Sequence, residues 1–468
     1  MSSRVDKRLV GSSGLIPDDQ WFRSENGTSL LAGSPLTFFS VTDAGKKILD
    51  AIENNESLPA NHAVLTKRLL ATGAVHPVYD TVGDADNLTV VVPSYITNDE
   101  QLQRLQSLVD SLIGTRIIVV DDCSPIAVSM TGAEVIRLTS NQGPANARNA
   151  GLAATVTPFI AFVDDDTTVT AHQLLSLTSY FTDESVDVVA PRVASTPGES
   201  RVAEYESFHS PLDLGNRPSV VRPLSRVSYV PAAVLVTRTN TVREMNGFDS
   251  SMRLGEDVDL IWRMVKANKG VRYDPSVVCE HEPRSTLRAL LKQRFGYGRS
   301  AASLDKKHPF AAAPLRANIV MLLPALALLS GHVLLATALV PLMVTWFCIT
   351  LHQTKIPITT RMRLAMTGWF STVRLLASAI MRVWWPPVLV VGQYSLRVGA
   401  VFVFSAFVPV MYGIMRHKPL HTFGYLVLRI LDPMAYGAGV WTGAFRDRNL
   451  RCLLPVVTRS SIRLRSKV

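Results

Sequence analysis

Phe159-Ile-Ala-Phe-Val163, followed at once by Asp164-Asp165-Asp166, is the stretch on which the reading of this chain turns. Five apolar residues suit one strand buried on both faces, and the aspartates then fall at its carboxyl end. The arrangement recurs upstream. Leu88-Thr-Val-Val-Val92 runs into Pro93-Ser94-Tyr95, and Arg116-Ile-Ile-Val-Val120 runs into Asp121-Asp122. Glu134-Val-Ile-Arg-Leu138 reads as a further strand, with segments 99–113 and 144–154 as helices between them. Short apolar runs alternating with amphipathic helices predict an α/β domain with a mostly parallel sheet covered on both faces. Ligands of such sheets lie at the carboxyl ends of the strands, where these polar residues fall.

Three adjacent carboxylates repel and raise one another's pKa unless a cation neutralises them. Hard oxygen ligands on a turn suit Mg²⁺ or Mn²⁺, which can bridge to a diphosphate. An acidic loop capping the next helix explains the triplet alone, but not its coincidence with Asp121-Asp122 on another strand end. A dinucleotide site is excluded, because no G-x-G-x-x-G follows the first strand. Asn141-Gln-Gly143-Pro-Ala-Asn-Ala-Arg148 sets a glycine turn before a helix carrying Arg148. That cation suits a nucleotide diphosphate or serves as partner to the carboxylates. Gly255-Glu256-Asp257-Val-Asp259 puts acids at the start of a helix, where the dipole favours them. A carboxylate there can also deprotonate a hydroxyl. Tyr273-Asp-Pro275 and Glu280-His281-Glu282 are candidates to complete a metal or phosphate shell, His281 as a metal ligand.

Around this core the composition changes. Charged residues are frequent up to about Phe310 and then thin out, leaving long apolar stretches at 317–351, 364–381, 386–414 and 422–444. These predict membrane association and contact with lipid, some segments spanning and others lying in the interface. A buried helical domain would leave too few charges to cover its surface. The formal charge of +10 gathers partly in the basic end around Arg446, Arg448, Arg451, Arg459 and Arg463. Beside apolar segments such charge suits anionic lipid or a cytoplasmic loop, and nothing supports nucleic acid as a partner. The four cysteines are far apart, without a Cys-x-x-Cys pair, which argues against zinc and a disulfide framework. No secretory signal is legible at the front, so the catalytic part is expected to face the cytoplasm. Residues 1–27 suggest no firm element. Leu30-Leu31 and Leu36–Val41 read as strands, helices follow at about 43–52 and 62–72, and Val75–Tyr79 reads as a returning strand. The expected division is a small winged-helix-like α+β module (1–82), a catalytic domain (86–310), membrane-associated helices (315–445) and a basic cytoplasmic tail (446–468).

Five motifs occur in order: VVVPSY at 90–95, VVDDCSP at 119–125, NQGPANARNAG at 141–151, FVDDD at 162–166 and GEDVDLIWR at 255–263. Together they resemble the family 2 inverting glycosyltransferases. The resemblance implies a GT-A fold, a UDP-sugar donor and a Mg²⁺ or Mn²⁺ cofactor. It implies that Pro93 and Tyr95 border the nucleotide base and that Asp122 contacts uracil. Asp164 and Asp165 would hold ribose or diphosphate, Asp166 of the D-x-D would bind metal, and Asp257, beside Glu256, would be the catalytic base. A single displacement would then give a β linkage from a UDP-α-sugar. The processive synthases' Q-x-x-R-W is missing, since the corresponding helix reads Lys292-Gln-Arg-Phe-Gly-Tyr-Gly298.

The whole layout resembles the actinobacterial transferases that add β-linked glucose from UDP-glucose to a peptide-derived redox cofactor precursor, a small-molecule acceptor. Residues 30–50, LLAGSPLTFFSVTDAGKKILD, are similar to small modules that recognise precursor peptides. Two other readings fit the layout: a family 2 enzyme acting on a polyprenyl phosphate or cell-wall glycan, and a non-catalytic membrane adaptor.

Overall fold

All seven residues of the Leu88–Ser94 strand are buried in the computed structural model, which describes residues 14–458 apart from Pro197 and Leu224. Arg116–Asp121 and Phe159–Val163 flank it in parallel, and Glu134–Arg137 pairs in parallel beyond Arg116–Asp121. The sheet then reverses. Val234–Arg238 joins Phe159–Val163 antiparallel, Val188–Ser195 joins Val234–Arg238 antiparallel, and Val271–His281 runs parallel to Val188–Ser195. The expected parallel sheet is thus one half of a mixed nine-stranded sheet. Apolar runs signal burial, not direction, so the reversal left no mark in the sequence.

Both faces are covered. Leu105, Leu108, Leu174 and Leu177 pack on one, and Leu152, Leu260, Ile261 and Met264 on the other. The helices begin where local chemistry starts them. Asn98 accepts a bond from the Gln101 N–H to cap Asp99–Ser111, and Thr170 with Gln173 forms a capping box before Ala171–Thr178.

In the front module Thr42 caps the Asp43–Asn54 helix, and Ala63–Thr72 ends at Gly73 in the left-handed region. Trp21–Arg23, Ser29–Ala32 and Thr37–Ser40 form an antiparallel sheet, while Leu15–Pro17 pairs antiparallel with Val75–Pro77. Leu15–Pro17 and Trp21–Arg23 correct the expectation of no element before residue 28. Three-residue strands carry no readable periodicity, and the partner of Leu15–Pro17 lies some sixty residues along the chain.

Behind the sheet, the apolar stretch expected at 317–351 divides into Ile319–Leu329 and Val333–Thr350, with Gly331 between them. Val333–Thr350, the continuous helical run Ile358–Gly392 and Leu396–His417 are each long and apolar enough to cross a bilayer. Exposed Leu334, Ile349, Phe370 and Met415 suit lipid contact. The fourth stretch behaves differently. Thr422–Arg446 lies along Leu287–Lys307, with Cβ positions at Gly298, Gly439 and Gly443 falling on the carbonyl groups of Tyr436, Phe295 and Arg299. Glycine lets the two backbones touch. Between them Arg294, 4% exposed, bonds Glu206 at 2.9 Å and Asp432 at 3.0 Å.

The start of the basic end is docked as well. Val456–Thr458 pairs in parallel with Arg316–Asn318, and Arg451 Nε donates to Asp305 at 2.7 Å. Arg459, Arg463, Arg465 and Lys467 lie outside the described residues.

Candidate active site

The strand ends bring the carboxylates into one cleft. After Val163 the chain turns tightly: the Asp164 N–H donates to Ala233 O, and the Thr167 N–H returns to Asp164 O. Thr167 then pairs with His281, so the imidazole faces the aspartates. His281 Nε2 lies 3.1 Å from Asp166 Oδ2, and Arg284 Nη2 lies 3.6 Å from the same oxygen. Burial alone would raise the Asp166 pKa, but His281 and then Arg284 hold it below the usual value. Burial would lower His281, and Asp166 outweighs it to raise the imidazole. Asp165 lacks such support. Burial, then the charges of Asp166 and Asp164, push it up to about 7.

Arg148 links the two halves of the cleft. Its side chain is 5% exposed, and it donates to Asp164 at 2.6 Å and to Glu256 at 2.8 Å. Its guanidinium stands 5.3 Å from the centre of the Phe248 ring. Of the two parts foreseen for Arg148, the structure shows partner to carboxylates. Even so, burial leaves Asp164 raised.

Glu256 and Asp257 begin the Glu256–Lys266 helix behind Gly255, which holds φ at 81° and supplies no side-chain cap. Glu256 is committed to Arg148. Asp257 Oδ1 accepts the Val258 N–H at 2.8 Å, and Oδ2 accepts the Ala232 N–H at 3.3 Å. Burial, then Glu256, raise Asp257 to about 6 against the pull of Arg148. A half-buried carboxylate with that affinity for protons is suited to general-base chemistry near neutrality.

Past the Arg116–Asp121 strand Asp122 accepts the N–H groups of Gln142 and Gly143, each at 2.7 Å, which fixes the glycine turn before the Arg148 helix. Pro93 is buried in its strand opposite Val120, and Tyr95, 44% exposed just past that strand, presents an open aromatic face.

The larger metal shell does not assemble. Among the described residues no group of three or more His, Cys, Asp or Glu comes together to hold an ion. Asp274 instead accepts the Tyr180 hydroxyl at 3.0 Å, Tyr273 donates to Gly215 O at 2.6 Å, and Glu282 pairs with Arg104. Strand alternation explains part of this: Glu280, next to His281 in the strand, points to the opposite face. Arg284 beside Asp166 had not been foreseen, nor two tyrosines that feel the charge of Asp257. Tyr229 is pushed up to about 12 by burial and then by the charge of Asp257; Tyr297 is raised by the same two causes. Tyr297 sits in the Lys292–Gly298 stretch quoted above, whereas Tyr229 and Arg284 carry no sequence signal.

The family described as Glycosyl transferase family 2 matches residues 89–233. The pre-mycofactocin glycosyltransferase of Mycobacterium tuberculosis (strains CDC 1551 / Oshkosh and ATCC 25618 / H37Rv) is 35% identical over 453 residues, 92% of this chain and 95% of that protein. The chain belongs to glycosyltransferase family 2. This transferase is also 26% identical over 223 residues to the succinoglycan biosynthesis protein ExoO of Rhizobium meliloti (strain 1021), covering 43% of the chain and 61% of that protein. Among solved structures, the mannosyltransferase PcManGT from Pyrobaculum calidifontis, in complex with GDP-Man and Mn²⁺, is 15% identical with a TM-score of 0.37. That match covers 74% of the transferase and 93% of PcManGT. S. aureus TarS 1-349 is 16% identical with a TM-score of 0.36, covering 47% and 65%. The family match agrees with a GT-A-like catalytic domain built on the mixed sheet.

Proposed function

We propose that this transferase moves glucose from UDP-glucose, with inversion and in β linkage, onto pre-mycofactocin, working at the cytoplasmic face of a membrane. The observation that carries the chemistry is the Asp164–Arg148–Glu256 bridge, which fixes the strand-end aspartates beside Asp257. The acceptor rests on the near full-length likeness to the pre-mycofactocin glycosyltransferase.

In this reading Asp257 takes the proton of the acceptor hydroxyl as its oxygen attacks the anomeric carbon. The bond to UDP breaks on the opposite face, so an α donor gives a β product. Pro93, Tyr95 and Asp122 border the base, and Asp164 and Asp165 face the ribose and diphosphate. Asp166 and His281, an oxygen and a nitrogen donor facing each other at 3.1 Å, fit Mg²⁺ or Mn²⁺ with the donor phosphates as further ligands. Such an ion supplies charge neutralisation for the departing diphosphate.

Purified transferase in detergent, given UDP-glucose, Mg²⁺ or Mn²⁺ and pre-mycofactocin, is expected to release UDP and form a hexosylated product seen by mass spectrometry. Excess chelator is expected to stop it. Release only with a polyprenyl phosphate would instead support the lipid-linked reading, which the three apolar helices favour. No UDP release with any acceptor would leave the adaptor.

A further inference from the structure

We propose that the front module is part of the catalytic apparatus: the ion pair of its Asp18 with Arg226 seats the 221–233 segment, whose other end positions the Ala232 N–H against Asp257. This inference rests on the reading of Asp257 as the base.

The anchor is built and buried. Asp18 is 4% exposed, and both its oxygens receive Arg226, Nη2 on Oδ1 and Nη1 on Oδ2, each at 3.0 Å. The Gln20 N–H adds a bond at 2.9 Å, and His76 Nε2 stands 3.1 Å away. Two oxygens with four partners hold the guanidinium in one plane and one direction. The Arg226 N–H also donates to Ser34 Oγ at 2.7 Å. Arg222 reaches the carbonyls of Ser34, Ala71 and Thr72 at 3.1 to 3.3 Å, the last two at the end of the Ala63–Thr72 helix, where the dipole favours a cation.

The same segment continues to the cleft. Val227 and Val230 are buried in the core beside Leu260 and Ile261, and Ser228 O accepts Trp262 Nε1 at 2.9 Å. The Ala232 N–H then donates to Asp257 Oδ2 at 3.3 Å, and the half-buried Tyr229 packs on the same core. One short run of chain is therefore tied to the front module at its start and to the catalytic carboxylate at its end. A module serving only as a cover needs no buried, four-partner carboxylate aimed at that run. Arg226 is a positioning residue here, acting through Ala232.

The test uses the full chain in detergent, UDP release from UDP-glucose with acceptor present, and Asp257→Asn as reference. Asp18→Asn is expected to lower kcat roughly ten-fold, the scale of a small misplacement of reacting groups, with the KM for UDP-glucose within about two-fold. Arg226→Lys keeps a charge beside Asp18 but loses the two-point pairing, and is expected to give a kcat between wild type and Asp18→Asn with the same KM. Ser34→Ala removes only the bond to the Arg226 N–H; it is expected to give the same split on a smaller scale, even if Asp18→Asn does not accumulate. Hydrogen exchange of amides 228–233 is expected to quicken in both Asp18→Asn and Ser34→Ala. If kcat per folded molecule is unchanged while Asp257→Asn is inactive, the coupling is wrong and the module is a cover. If Asp257→Asn keeps full activity, the base assignment falls and this inference with it.

Discussion

At a pKa of about 6, Asp257 is about one-tenth ionised at pH 5 and about nine-tenths ionised at pH 7. An aspartate at the ordinary 3.8 would be more than nine-tenths ionised, roughly, at both. If Asp257 is the base, kcat/KM should therefore rise about ten-fold between those pH values. Glu256→Gln tests where that limb comes from. Burial is the largest cause of the raised value and Glu256 the next, while Arg148 opposes both. Removing the Glu256 charge leaves burial and Arg148 in place, so the folded-state pKa falls and the acid limb moves to lower pH. A move of about one unit corresponds to about 1.4 kcal/mol. The assay is UDP release across about pH 4.5 to 8 at constant ionic strength and saturating metal. A limb that stays in place, or moves upward, in Glu256→Gln would refute the assignment. A separate limb near 7 that follows metal concentration would belong to Asp165.

Arg148→Met leaves Asp164 and Glu256 without their shared cation, an effect of about 3–5 kcal/mol for a broken buried pair. Thermal melting should fall, and the acid limb of any residual activity should move to higher pH, because Arg148 is what lowers Asp257; an unchanged melting curve would contradict the bridge. Gly298→Val sets side-chain carbons against the Tyr436 carbonyl and should cost about 1–3 kcal/mol or more, read as faster proteolysis between the Leu287–Lys307 and Thr422–Arg446 helices. Cleavage at the wild-type rate would show that the helices are not in contact.

Much of the catalytic core was legible because its signals are local. The strands at Leu88 and Phe159 are apolar runs, and the carboxylates sit directly after strands whose ends gather at one edge. Asn98 and Thr42 announce helix starts by the bonds they make within a few residues. Long-range partnerships were not legible. Arg148 faced two chemically sensible partners, and only the fold placed Glu256 within 2.8 Å. Glu282 looked like part of a shell, and only the fold paired it with Arg104. The helix at Thr422 has a span's apolarity, and its glycines had meaning only once Leu287–Lys307 lay against them.

That last contact bears on how the chain comes into being. Arg294 is made well before Asp432, yet the structure buries it between Glu206 and Asp432. Until the final long helix leaves the ribosome, the guanidinium lacks one of its two carboxylates and the glycine face of Leu287–Lys307 has nothing to touch. Tyr297, which feels the charge of Asp257, lies on that same helix. Contacts therefore run across the change in composition near residue 310. A chain interrupted after the sheet domain would hold every motif of a transferase and still lack Asp432 and the backbone that packs on Gly298.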